Sequence, residues 1–133
     1  MYKRQIILGG QIAGGEPHLY LIYPEGNFIE ASEDTPFFQI GETKYGKPIL
    51  VRAHDADMSF EDAIRLLIVS FDSTIKANVS VDLPLDFQVY ENDSLTQGDR
   101  GRITATDPYY QHISSQWGAS LKAALDDLPK YEL

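Results

Sequence analysis

Residues 59–78 constrain this chain most. From Ala63 to Phe71 every side chain except Arg65 and Ser70 is apolar. Ser59 can cap a helix, and Glu61 and Asp62 fall in its first turn, where the helix dipole favours carboxylates. The segment reads as one helix running to about Asn78. A helix that is apolar on nearly every side lies under other structure rather than on an open surface. Its far end carries Asp72, Ser73, Thr74, Asn78 and Ser80. Polar groups there need hydrogen-bond partners, so they read as structural satisfiers or as part of a site.

The flanking segments supply strands and two more helices. Ile6–Ile12 reads as a buried strand, and Gly14-Gly15-Glu16-Pro17 as a turn. His18–Tyr23 is apolar on both faces, so it reads as a strand covered on both sides. Pro24-Glu25-Gly26-Asn27 is a tight turn that returns Phe28–Ala31 as the antiparallel partner. Phe37–Ile40 reads as a short further strand. Gly41-Glu42-Thr43 opens a helix that ends near His54, with Thr43 as its cap and Pro48 early in it. Leu85–Tyr90 and Arg102–Thr106 read as strands on either side of a polar turn. Asp107-Pro108 is a strong helix start. The stripe Tyr110, Ile113, Trp117, Leu121, Ala124, Leu128 then follows helical spacing until Pro129. It suits core packing or a subunit contact. The order predicts an α+β layered domain with antiparallel strands and helices on the sheet faces. The long apolar helix asks for more sheet than these strands supply.

Length and charge narrow the function classes. The 133 residues leave room for one domain. Net charge is −9, and the basic residues form no run longer than Lys3-Arg4. Nucleic acid and anionic membrane are therefore poor partners. The absence of cysteine excludes disulfides, thiolate metal sites and a cysteine nucleophile, and fits a reducing cytoplasm. No apolar run approaches a membrane span, and no leader pattern is visible.

Motifs for chemistry are sparse. The histidines, His18, His54 and His112, lie far apart in sequence. His54-Asp55-Ala56-Asp57 has ligand-type residues but reads as a solvated loop, so no metal and no cofactor is expected. Gly9-Gly10 and Gly14-Gly15 do not form a phosphate-binding pattern leading into a helix. Gly41-Glu42-Thr43 is the most interesting junction, because backbone N–H groups at a helix start can stabilise an anion or oxyanion. The same residues also read as an ordinary capped helix.

At this point the residues resemble a known family. Gly15-Glu16-Pro17-His18-Leu19-Tyr20 through Tyr23-Pro24-Glu25-Gly26 resembles the strand and turn of proteasome β-type subunits. Tyr23–Ala31 and the run Phe38-Gln39-Ile40-Gly41-Glu42-Thr43-Lys44-Tyr45-Gly46-Lys47-Pro48-Ile49-Leu50 look like Anbu, the ancestral β-subunit family of bacterial proteasome-type proteases. So do Ser70-Phe71-Asp72-Ser73-Thr74, Leu83-Pro84-Leu85-Asp86, Asp107-Pro108-Tyr109 and Trp117-Gly118. The resemblance implies an N-terminal-nucleophile hydrolase fold, a four-layer αββα sandwich with antiparallel sheets. It further implies a threonine-type peptidase or amidase, cytoplasmic and self-assembling into homo-oligomers, that acts on peptide or protein substrates.

The chain departs from that family where the nucleophile belongs. Such enzymes use a Thr, Ser or Cys at the mature N-terminus, whose α-amino group is the base for its own side chain. Here the sequence begins Met1-Tyr2, and no Ser precedes Ser32 and no Thr precedes Thr35. Three expectations follow. Residues 1–5 are an extraneous lead, 6–129 the C-terminal portion of a proteasome β-type domain, and 130–133 a tail. The chain carries no catalytic residue of its own and is inactive alone; the alternative is a non-catalytic assembly or scaffold subunit. Gly41, Glu42 and Thr43 stand where the family has a Gly-Ser-Gly beside the nucleophile, which implies an oxyanion or near-site role, and Asn78 or Ser80 is the match to its second polar cluster.

Overall fold

The structure, a computed structural model, describes residues 4–132. Residues 1–3 of the expected lead and residue 133 of the expected tail lie outside it. Strands β1 (Ile6–Gly10), β2 (His18–Ile22) and β3 (Phe28–Glu30) form an antiparallel sheet in that order. Helices α1 (Lys47–Ala53) and α2 (Phe60–Ala77) follow, then the antiparallel pair β4 (Leu85–Gln88) and β5 (Arg100–Ile103), then α3 (Pro108–Asp126). This is the expected α+β arrangement.

The hairpin between β2 and β3 closes where Pro24 and Gly26 predict it. Tyr23 N–H donates to Asn27 O at 2.9 Å, and Ile22 pairs with Phe28. The pairs Leu8 with Tyr20 and Tyr20 with Glu30 fix which side chains share a face. Ile6, Leu8, Tyr20, Ile22 and Phe28 stand on one face, since alternate residues share a side. Leu21 stands on the other and is buried. The first face is open: Ile6 is 59% exposed and Phe28 62%.

Helix α2 starts and ends as its sequence asks. Ser59 Oγ accepts from Asp62 N–H at 3.1 Å, and Asn78 N–H closes the helix on Thr74 O at 2.8 Å. Its apolar surface is divided among neighbours. Ile68 forms a core with Ile103 of β5 and Tyr110 of α3, flanked by Ile64, Leu83, Leu85, Phe87 and Ile113. On another side α1 approaches over Gly46. A Cβ at Gly46 would lie 2.2 Å from Ser70 Oγ and 3.0 Å from Ser70 O, so glycine is what permits this spacing. The buried Asp72 accepts from Tyr110 Oη–H at 2.9 Å, which joins α2 to α3.

Gln11 joins the three-stranded sheet to the loop after β4. Its Nε2 donates to Gly15 O at 2.8 Å and Asp93 Oδ1 at 2.7 Å. Its Oε1 accepts from Tyr90 Oη–H at 2.7 Å and Asp93 N–H at 2.8 Å. Both amide protons and both lone pairs are thereby used.

Four local readings are corrected. β1 is Ile6–Gly10 and exposed along its length, rather than a buried strand over Ile6–Ile12. Phe37–Ile40 is not a strand, because no ladder partner exists for it among the described residues; Ser32 and Thr35 form an isolated bridge ahead of it instead. The first helix begins at Lys47 with Gly46 as N-cap, not at Thr43. A Thr43 cap would put Pro48 beyond the first turn, where its missing N–H leaves a helical carbonyl unpaired. Starting at Lys47 keeps Pro48 among the positions that need no intrahelical donor. Finally β5 is Arg100–Ile103 rather than Arg102–Thr106. Asp107 N–H bonds Thr104 O at 3.0 Å, so Thr104–Asp107 turns directly into α3.

Two stability experiments follow. Gly46→Ala overpacks the crossing of α1 and α2 and should destabilise the chain by about 1–3 kcal/mol in a denaturant titration. The Tyr110 phenol is pushed up to about 12, first by burial and then by its bond to Asp72. Free tyrosine titrates near about 10. The folded state therefore holds this proton more tightly, and the contribution is complete below about pH 10 and lost as pH rises toward about 12. Tyr110→Phe should remove that alkaline component and, by stranding Asp72, cost roughly 1–3 kcal/mol at neutral pH.

Candidate functional site

The loop between residue 40 and α1 meets the end of α2. Gly41 is in the left-handed region, with φ of 83°, and turns the chain into the loop. Glu42 is half-buried. Its Oε1 accepts from Lys44 N–H at 2.9 Å, and its Oε2 accepts from Asn78 Nδ2 at 2.9 Å. Asn78 Oδ1 in turn accepts from Ser80 N–H at 2.8 Å and from Ser80 Oγ–H at 2.7 Å. Glu42, Asn78 and Ser80 thus form one hydrogen-bonded chain, whose bond between Glu42 and Asn78 joins residues 36 positions apart.

The sequence-derived site residues are partly brought together. Glu42, Asn78 and Ser80 are linked, and Gly41 shapes the loop that carries Glu42. Thr43 lies in the same loop, where its carbonyl accepts from Lys47 N–H at 3.1 Å. The Gly41–Thr43 N–H groups therefore belong to a loop, not to a helix N-terminus. Next to them, Gln39 has a buried Oε1 with no partner among the described residues. The bond from Asn78 to Glu42 has no local sequence signal, since it joins residues 36 positions apart with two helices between them.

Other features carry less chemistry. A groove of about 360 Å³ opens among the helices, lined by Ile49, Met58, Leu66, Val69, Ile113 and Trp117 with few polar groups. Its charged members, Asp62 and Arg65, pair with each other at 2.8 Å. Asp55 accepts from Asp57 N–H at 2.9 Å, so the His54–Asp57 loop folds on itself. Among the described residues no group of His, Cys, Asp or Glu could hold a metal ion. No helix among them is long and apolar enough to cross a membrane.

The fold is that of a proteasome-type subunit. The proteasome-subunit family profile matches residues 1–82, and the chain belongs to that family. It is similar to Anbu from Hyphomicrobium sp. strain MC1, at 46% identity and a TM-score of 0.94, covering 100% of this chain and 57% of that one. Anbu from Yersinia bercovieri is 45% identical with a TM-score of 0.91, covering 98% and 56%. The helical Anbu assembly from Pseudomonas aeruginosa is 53% identical with a TM-score of 0.89, covering 95% and 52%. The chain thus spans just over half the length of these relatives. No match is found among curated proteins.

The bond between Glu42 and Asn78 yields a charge test. Asn78→Ala removes the side-chain bonds to Glu42 and Ser80 and should cost about 1 kcal/mol, because the site is partly hydrated. Asn78→Asp places a second carboxylate against Glu42 and should be less stable than Asn78→Ala at pH 7. Denaturant midpoints of both variants at pH 7 check it.

Proposed function

We propose that residues 6–129 are the C-terminal portion of a proteasome-like threonine-type peptidase or amidase of the Anbu kind. In the whole protein, the hydroxyl of an N-terminal threonine would attack the scissile carbonyl while its own α-amino group takes the proton. That chemistry uses no metal or cofactor. The loop Gly41–Thr43 and the pair Asn78 and Ser80 would lie beside the nucleophile. The chain by itself would be inactive. The protein would work in the bacterial cytoplasm as a homo-oligomer on peptide or protein substrates, and the helical assembly of the Pseudomonas relative supports the self-association.

One observation carries this reading. The chain spans 57% of a relative with which it shares 46% identity, and it leaves apolar surface open where a sandwich would close. The open face of β1–β3 and the end of α3, where Leu125 is 69% exposed, are the surfaces a further sheet and helix layer would cover. The orphan Oε1 of Gln39 adds a buried acceptor awaiting a donor. A second reading is a non-catalytic assembly subunit, a role that the helical assembly of the Pseudomonas relative would also suit.

A fluorogenic peptide panel separates them. The chain alone should give no turnover. A form extended upstream to a leading threonine should give turnover that a threonine-directed inhibitor abolishes. Turnover by the short chain overturns the proposal. An extended form that assembles without turnover favours the scaffold.

A further inference from the structure

We infer that Glu42 is a positioning residue that orients the hydroxyl of Ser80 through the amide of Asn78, and that this pole of the site receives an N–H donor rather than an oxyanion. The inference rests on the proposed peptidase reading for its functional meaning, but its geometry is independent of that reading.

A side-chain amide has two ends of nearly equal shape, and its partners decide which way it points. An ionised carboxylate only accepts hydrogen bonds. Glu42 Oε2 can therefore hold only the Nδ2 end of Asn78, and it does so at 2.9 Å. The other carboxylate oxygen is fixed by Lys44 N–H, so Glu42 is itself held in place. Oδ1 is then turned toward Ser80, whose N–H and Oγ–H both donate to it. The reversed amide would set a carbonyl against a carboxylate and an NH2 group against an N–H. Both contacts are repulsive.

The consequence falls on Ser80. Its one hydroxyl proton is committed to Asn78, so Oγ presents only lone pairs outward, and Ser80 is exposed. Glu42 and Asn78 Oδ1 add acceptors behind it. Such a cluster draws an amine or amide N–H and repels a developing negative charge. The side chains of Glu42, Asn78 and Ser80 are therefore ill-suited to hold an oxyanion. Any oxyanion donors would have to be backbone N–H groups of the neighbouring loop.

Hydrogen–deuterium exchange read by mass spectrometry at single-residue resolution tests this on the 133-residue chain. Glu42→Ala should speed exchange at the Ser80 amide by roughly three- to tenfold, the loss of one modest hydrogen bond. The Asn78 amide, bonded to Thr74 O within the helix, should not change. Glu42→Gln keeps one acceptor oxygen for the two donors Lys44 N–H and Asn78 Nδ2, so it restores part of the orientation and Ser80 should exchange more slowly than in Glu42→Ala. This rescue separates orientation from general loosening. Unchanged Ser80 exchange in Glu42→Ala overturns the inference, and so does Ser80 exchange in Glu42→Gln as fast as in Glu42→Ala. Should Glu42→Ala not fold, Glu42→Asp, one methylene too short to reach Asn78, takes its place with the same expected rise. The assay involves no turnover, so failure of the peptidase reading leaves its outcome unaffected.

Discussion

Helix α2 is apolar over more of its circumference than one neighbour can cover, and the described structure is arranged around that demand. Ile68 is met by β5 and α3, and the Gly46 side is met by α1 at a distance only glycine allows. The hydroxyl of Tyr110 satisfies Asp72 in the same interior, so a carboxylate that would otherwise oppose burial becomes a link between α2 and α3. Even so, Leu67 and Phe71 of α2 remain exposed. The apolar surface exceeds the cover.

The same excess appears on the three-stranded sheet. Leu21 is buried on one face, while Ile6, Leu8 and Phe28 stand open on the other. A two-layer arrangement covers one face of a sheet, whereas a layered αββα sandwich covers both, one with the second sheet and one with helices. The residues of β1 to β3 are patterned for the second case. Family membership makes the same point from another direction, because the relatives with this fold are nearly twice as long as the part this chain spans.

Much of the fold was legible because its signals are local. Ser59 and Asp107 cap the helices that their positions announce, and Pro24 with Gly26 closes the hairpin. The failures arose where a local pattern lacked its tertiary partner. Phe37–Ile40 has strand composition but no strand beside it, and Thr43 resembles a cap until Pro48 is counted from it. The aromatic stripe of α3 split for the same reason. Tyr110 is buried in the core, while Leu121 and Leu128 are more than half exposed. At the candidate site, the residue types at Glu42, Asn78 and Ser80 were visible, but their connection was not. It joins a loop to a helix end 36 residues away, and no spacing rule reports such a bond.

The proposed reading puts this apolar surface inside a larger sandwich. Sedimentation velocity of the chain over a range of concentrations tests it most directly, with thermal unfolding on the same samples. The account predicts heterogeneous, concentration-dependent association and a broad unfolding profile for this chain, and a defined assembly with sharp unfolding once upstream sequence is added. A compact monomer that unfolds cooperatively by itself would contradict it.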